Sequence, residues 1–186
     1  SGAWNAAMMQ ALTTHGAPVE DDYFTAVDDL QPKDKTGAGF VSQQEFGAGL
    51  FYVYICIDTG ILLRNLTPER GVPNMKLAQA AIEGLARAAM QVSPSGKQNS
   101  YASRSVASYA LAERGDVQPC SLAMSFLKPV AGIDLLSEST KRLVETRDKI
   151  TRAYGWAEKK SHYSVDVMNG EGTLDGLVSF MKEGAA

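Results

Sequence analysis

Carboxylates are the residues of this chain with the plainest capacity for chemistry. Glu20-Asp21-Asp22 and Asp28-Asp29 stand close enough in sequence to suggest a divalent cation, the usual device for cutting a phosphodiester. Such a site needs several converging ligands, and no second cluster supplies the rest. Asp28 and Asp29 therefore read as capping a turn or pairing with cations on a neighbouring subunit, and no metal or other cofactor is expected. His15 and His162 are the only histidines, and no G-x-S-x-G elbow accompanies them, so a hydrolase triad is not supported. His15 reads as a helix-end residue, where an imidazolium is favoured by the dipole. Cys56 lies in an apolar run and Cys120 after a proline, outside any C-x-x-C or Cys/His cluster. They read as two reduced thiols in a cytoplasmic protein.

A second set of residues suits contact with nucleic acid rather than catalysis. Tyr23-Phe24, followed by Thr25, presents adjacent rings, and stacking on aromatic side chains holds single-stranded RNA without reading its sequence. The plainer reading is that one or both rings fill a core. Phe40 and Val41 follow the Gly37-Ala38-Gly39 tip as apolar residues in polar surroundings, and such a wedge can unstack nucleotides. They equally suit a tip packed on a neighbouring subunit. In Gly96-Lys97-Gln98-Asn99-Ser100-Tyr101 a glycine admits close backbone approach, Lys97 offers charge, and Gln98 and Asn99 offer donors and acceptors. This is no phosphate loop, because G-x-x-x-x-G-K-[ST] is absent, and an ordinary helix-to-strand turn fits it too. Residues 137–160 form the basic part of the chain, with Lys141, Arg142, Arg147, Lys149, Arg152, Lys159 and Lys160 diluted by Glu138, Glu145, Asp148 and Glu158. That pattern is a solvated helix face, a contact with displaced DNA, or a match to an acidic neighbour.

Composition argues against an autonomous nucleic-acid binder. The formal net charge is −3, and residues 1–60 carry only Lys33 and Lys35 as cations against Glu20, Asp21, Asp22, Asp28, Asp29, Asp34, Glu45 and Asp58. Affinity for nucleic acid normally comes from neutralising phosphates and releasing counterions. The 45% hydrophobic and 21% charged fractions are those of a globular domain able to bury a core. No run approaches the roughly 20 apolar residues of a transmembrane helix, and no membrane contact is expected. The opening residues lack the layout of a signal peptide.

These residues must be positioned by alternating elements. Residues 3–14 keep Ala, Met and Leu together and read as the last turns of a helix, ended by Gly16 and Pro18. Residues 23–30 favour extended structure and 40–41 a return strand, which makes a hairpin. Residues 46–58 are apolar on both faces, as in a central strand covered on both sides. Residues 75–92 read as an amphipathic helix with Leu77, Ala81, Leu85 and Ala88 or Ala89 inward and Lys76, Glu83 and Arg87 outward. Residues 103–112 read as a strand, 121–127 as a third or an extended edge, and 162–167 as a short one. Residues 135–154 form a long helix with Leu136, Leu143, Val144, Ile150 and Tyr154 as its apolar set, and 174–181 a closing helix. The class is α+β, helices on one antiparallel sheet.

The order of these parts over residues 11–46 resembles a segment of the CasC family, the RNA-binding backbone subunits of type I-E CRISPR Cascade complexes. The match rests on T-T-H at 13–15, an acidic spacer, F-T-A-V-D-D-L at 24–30, a glycine-containing tip and Q-E-F at 44–46. It returns at residues 96–102 (GKQNSYA) and continues loosely to the C-terminus. The resemblance implies a ferredoxin-like, RNA-recognition-motif-like palm with a long hairpin, the thumb. Residues 1–14 would end a palm helix, 15–45 would form the thumb, and 46–186 the C-terminal part of the palm. Family members are longer, with guide-binding lysines and arginines mainly in the N-terminal half, so the chain looks like a C-terminal portion whose first palm strands lie in the missing part.

The resemblance also implies partners and roles. These are a CRISPR guide RNA, target DNA through the guide, copies of the same subunit along the guide, and other Cascade subunits. Tyr23, Phe24 and Thr25 would line the RNA path at the thumb base. Phe40 and Val41, the latter at the family's wedge position, would press on the duplex, and Lys97, Gln98 and Asn99 would face RNA. Type I members do not cut, so no enzyme activity is expected. Related type III subunits cleave RNA with an aspartate near the thumb, which leaves a metal-dependent ribonuclease using Asp21, Asp22, Asp28 or Asp29 as one alternative. A self-assembling structural protein without nucleic acid is the other.

Overall fold

A computed structural model of the chain describes residues 7–16, 19–26, 40–47, 49–67, 71–91 and 106–184, with 19–26 and 40–47 described through their backbone pairing. The class is α+β with antiparallel pairing in every ladder, as the sequence suggests. The strands are laid out as three two-stranded ladders: β1 (Ala7–Thr13) with β4 (Phe51–Ile57), β2 (Val19–Ala26) with β3 (Phe40–Gly47), and β5 (Tyr109–Gly115) with β6 (Lys160–Asp166). The helices are α1 (Thr59–Asn65), α2 (Met75–Met90), α3 (Leu135–Ala153) and α4 (Leu174–Glu183), with a short 3-10 helix at Ala123–Phe126.

The first correction concerns the N-terminal segment. Residues 7–13 are a strand and not helix-end turns. Ala, Met, Gln and Leu favour helix in isolation, but pairing from Ala7↔Ile57 to Thr13↔Phe51 overrides that preference. The second concerns β4, expected to be covered on both sides. Among the described residues it has one neighbour, β1. Tyr52, Tyr54 and Cys56 are half-buried, while Phe51 is 55% exposed and Val53 is also exposed, as are Met8 and Met9 on β1. Residues 121–127 hold a 3-10 helix in place of the expected strand. Phe126 is buried there and the Ser125 N–H donates to the Leu122 carbonyl, so a tight turn brings both apolar side chains into one cluster.

Leu122, Phe126, Val130 and Leu143 form that core cluster. Leu12, Tyr52, Tyr109, Leu111, Leu135 and Ile150 close around it, which ties β1, β4, β5 and α3 together. Tyr52 is anchored at both ends: its ring centroid is 5.5 Å from that of Phe126, and its hydroxyl accepts from the Leu122 N–H at 2.9 Å. Burial raises its pKa above the usual phenol value, partly offset by the Ser121 and Leu122 hydrogen bonds.

α2 and α4 pack on each other around Ala78, Ile82 and Ala86 of α2 and Leu177 and Val178 of α4, all buried. The inward face of α2 is thus the 78–82–86 row, and Leu77, expected inward, is 46% exposed. Glu83 and Arg87 face α4 rather than open solvent. Glu83 receives Lys182 at 2.9 Å and Arg87 at 3.0 Å, and Arg87 also reaches Asp175 at 2.8 Å. α4 in turn meets β5–β6 through Arg114, whose guanidinium carbon lies 4.4 Å from the Phe180 ring centroid and which pairs with Glu183 at 2.7 Å. Gly172, at φ 71°, lets the turn before α4 run against the Ser164 carbonyl, where a Cβ would collide with backbone.

α1 was not anticipated. Asp58 caps it by accepting from the Ile61 N–H at 2.8 Å, and Arg64 sits in its last turn.

Candidate nucleic-acid interface

The β2–β3 ladder brings together the residues singled out for contact with RNA. Its register runs from Val19↔Gly47 to Ala26↔Phe40, with Tyr23↔Gln43, Phe24↔Ser42 and Thr25↔Val41 between. Two expected arms therefore pair as a hairpin, the first beginning at Val19 rather than Tyr23 and the second running on to Gly47. Tyr23–Thr25 and Phe40–Val41 occupy the loop-proximal half of the ladder together, rather than its two ends. β2 pairs with β3 and with no other described strand. Asp28, Asp29, the 37–39 tip and Lys97, Gln98 and Asn99 lie outside the described residues.

The root of this hairpin is held by hydrogen bonds that the sequence reading missed. The Thr14 N–H donates to the Leu50 carbonyl at 2.9 Å, and the Val130 N–H donates to the Thr14 carbonyl at 2.8 Å. The Leu50 N–H donates to Nε2 of His15 at 3.0 Å, which leaves Nδ1 to donate to the Gly16 carbonyl at 2.9 Å. That pattern requires a neutral ring protonated at Nδ1. His15 is therefore no helix-end imidazolium: the strand β1 leads into it, and one ring nitrogen must accept. Thr14 is buried, and its Oγ1 lies 3.1 Å from Oγ of buried Ser139 on α3. Residues 14–15 and 50, one on each side of the hairpin, are thereby fixed to each other and to the body. The legible signal was T-T-H itself, three residues with polar side chains ending an apolar run.

At its C-terminal end α3 stops in a Schellman turn. Gly155 adopts φ 63°, its N–H donates to the Arg152 carbonyl at 3.3 Å, and the Trp156 N–H donates to the Thr151 carbonyl at 2.9 Å. Tyr154, expected on the buried side of α3, is 67% exposed, because the helix ends at Ala153. Of the cations in 137–160, Arg142 and Lys149 pair with Glu138 and Glu145, Arg147 pairs with Asp148, and Lys160 pairs with Glu113 at 3.1 Å. Among the described residues no group of His, Cys, Asp or Glu is arranged to hold a metal. Cys56 and Cys120 are free. No described helix is long and apolar enough to cross a membrane.

The comparisons with known proteins bear on the whole chain. The family model described as CT1975-like protein matches residues 3–177. The chain belongs to the CT1975-like family. Two solved structures share its fold. One, titled a CRISPR RNA-guided surveillance complex, superposes with a TM-score of 0.76 at 24% identity over 97% of this chain and 71% of that one. The other, titled a CRISPR RNA-guided surveillance complex, pre-nicking, gives 0.77 at 26% identity over 98% of this chain. The CT1975-like chain spans 55% of the length of that second relative. A comparison with curated protein sequences returned no match. The two structural matches place nearly every element of this CT1975-like chain within a fold used by surveillance-complex subunits.

Proposed function

We propose that the chain is a guide-RNA-binding backbone subunit of a Cascade-type surveillance complex, of the CasC, type I-E kind. In this reading the β2–β3 hairpin is the thumb of an RNA-recognition-motif-like palm, and copies of the subunit line up along one guide. The guide is displayed in short segments for pairing with target DNA, while protein contacts its backbone and shape. Other Cascade subunits complete the particle. The reading carries no catalysis: the protein holds and presents.

The observation that carries the proposal is the superposition on the pre-nicking surveillance complex over 98% of the chain, with a TM-score of 0.77. Membership of the CT1975-like family and the paired arms of the hairpin support it. Co-purification tests it. Protein isolated from cells transcribing a CRISPR array carries RNA of uniform length, and magnesium leaves that RNA intact. Magnesium-dependent cleavage would favour the ribonuclease alternative, and nucleic-acid-free oligomers the purely structural one.

A further inference from the structure

We propose that Tyr154 and Trp156, displayed on the turn that ends α3, form a stacking platform for a base of single-stranded nucleic acid, with Arg152 and Lys159 contacting its phosphates. This goes beyond the hairpin reading and uses none of its residues.

The first argument is preorganisation. Tyr154, the residue that caps the end of α3, has a ring that the core does not use, yet it is not loose. Its ring stacks on Trp156 with centroids 4.9 Å apart and planes 29° from parallel. Nζ of Lys160 lies 4.9 Å from the Trp156 ring centroid, and the same ammonium is bound to Glu113 on β5, with side chains only 10% and 20% exposed. The backbone is equally fixed. Beyond the Schellman bonds, the Lys159 and Lys160 N–H groups both donate to the Trp156 carbonyl, at 3.0 and 3.1 Å. Gly115 on β5 lies so close to the Lys159 carbonyl that a Cβ would collide with it. The exposed Tyr154 ring, backed by half-buried Trp156, is thus held at the surface at little further entropic cost, the condition under which stacking contributes most to binding.

The second argument is charge. The chain is acidic as a whole, yet residues 149–162 carry Lys149, Arg152, Lys159 and Lys160 against Glu158 alone. Arg152 and Lys159 are exposed and have no ion-pair partner among the described residues. Arg152 also complements the dipole at the end of α3, whereas Lys159 lies beyond it and has no such role.

The third argument selects the ligand. The sequence neighbours of the rings are Ala153, Gly155 and Ala157, which add little apolar area to the rings themselves. Rings flanked in sequence by cations with no ion-pair partner among the described residues match a base and its phosphates, the pairing found in single-strand binding sites. Guide RNA and single-stranded DNA share that chemistry.

The test uses the whole chain with Trp4→Phe, which leaves Trp156 as the sole indole. Fluorescein-labelled oligouridylate and oligothymidylate are titrated at low salt, reading anisotropy and Trp156 emission together. The expected result is binding with Trp156 quenching by at least one oligomer, and the one bound more tightly identifies the source. Tyr154→Ala weakens it about tenfold or more, Tyr154→Phe retains it, and Arg152→Gln or Lys159→Gln shallows the salt dependence by about 0.7 per lost phosphate contact. Absence of Trp156 quenching, or equal affinity for Tyr154→Ala, overturns the proposal. So does a shift in oligomeric state on Tyr154→Ala without nucleic acid, which would assign the rings to a protein contact. Failure here leaves guide co-purification by the assembly untouched, so the two readings fail separately.

Discussion

Thr25 of β2 is the register partner of Val41 of β3. The residues suited to stacking and those suited to wedging therefore stand side by side on one ladder, with strands about 4.8 Å apart. By period-two alternation the register places Tyr23, Thr25 and Val41 on one face of the ladder and Phe24 and Phe40 on the other, so each face carries one residue suited to stacking and one suited to wedging. Phe24→Ala is expected to weaken guide retention by about 1–3 kcal/mol, alike for unrelated guide sequences, because stacking does not read base edges. Val41→Ala is expected to impair target pairing. The double variant Tyr23→Ala with Val41→Ala, diagonal neighbours on one face of the ladder, should depart from additivity by at least about 0.5 kcal/mol. Additive effects on guide retention and target pairing would show that the two groups act apart.

Thr14 and Ser139 make the second prediction. Their hydroxyls, both buried, join the hairpin root to α3. Ser139→Ala strands the Thr14 hydroxyl and should destabilise the fold by about 1–3 kcal/mol in urea denaturation. Adding Thr14→Val should recover part of that loss, since the orphaned group is then gone. No recovery in the double variant would place the cost in packing instead.

The long helices were legible because each carries an unbroken apolar row, and the hairpin because aromatic and β-branched residues flank a glycine tip. The N-terminal strand was not, because Ala, Met and Leu report helix propensity while the deciding partner, β4, lies about 40 residues away. β4 misled in the opposite direction: its sequence is apolar on both sides, but the fold leaves Phe51 and Val53 in the open. Asp58 before an apolar run was a readable cap for α1, with Gly60 weakening the signal. The Schellman turn was also readable, as a glycine directly after a helical pattern, and it would have moved Tyr154 out of the core. The pairing of Thr14 with Ser139 had no local signature, since it joins residues far apart in sequence.

A pH prediction follows from the bridge between α2 and α4. Hydrogen bonds from Lys182 and then Arg87 hold the Glu83 carboxyl below its usual range, and Asn169 does the same for Asp166. A carboxylate with a depressed folded-state pKa contributes stability above its unfolded pKa and loses it as pH falls through the folded one. The urea midpoint should therefore drop below about pH 4.5, and Glu83→Gln should flatten that drop. A variant whose pH profile parallels the parent's would remove Glu83 from the account.

Among the described residues, Ile82 of α2 is the most deeply enclosed large side chain, in the contact with α4. Ile82→Val should cost about 0.5–1.5 kcal/mol and Ile82→Ala about 2–5 kcal/mol. Thermal melting checks both. A neutral Ile82→Ala would mean that the α2–α4 contact is not a stabilising core.

The central claim, that this CT1975-like chain holds a guide, is tested most directly by the nucleic acid that travels with it. Protein purified at moderate salt from cells expressing a CRISPR array is extracted and its RNA sized and sequenced. The account predicts one discrete RNA species carrying repeat and spacer sequence, retained by the parent and depleted by Phe24→Ala. Protein free of RNA, or bound to RNA without spacer sequence, would contradict it.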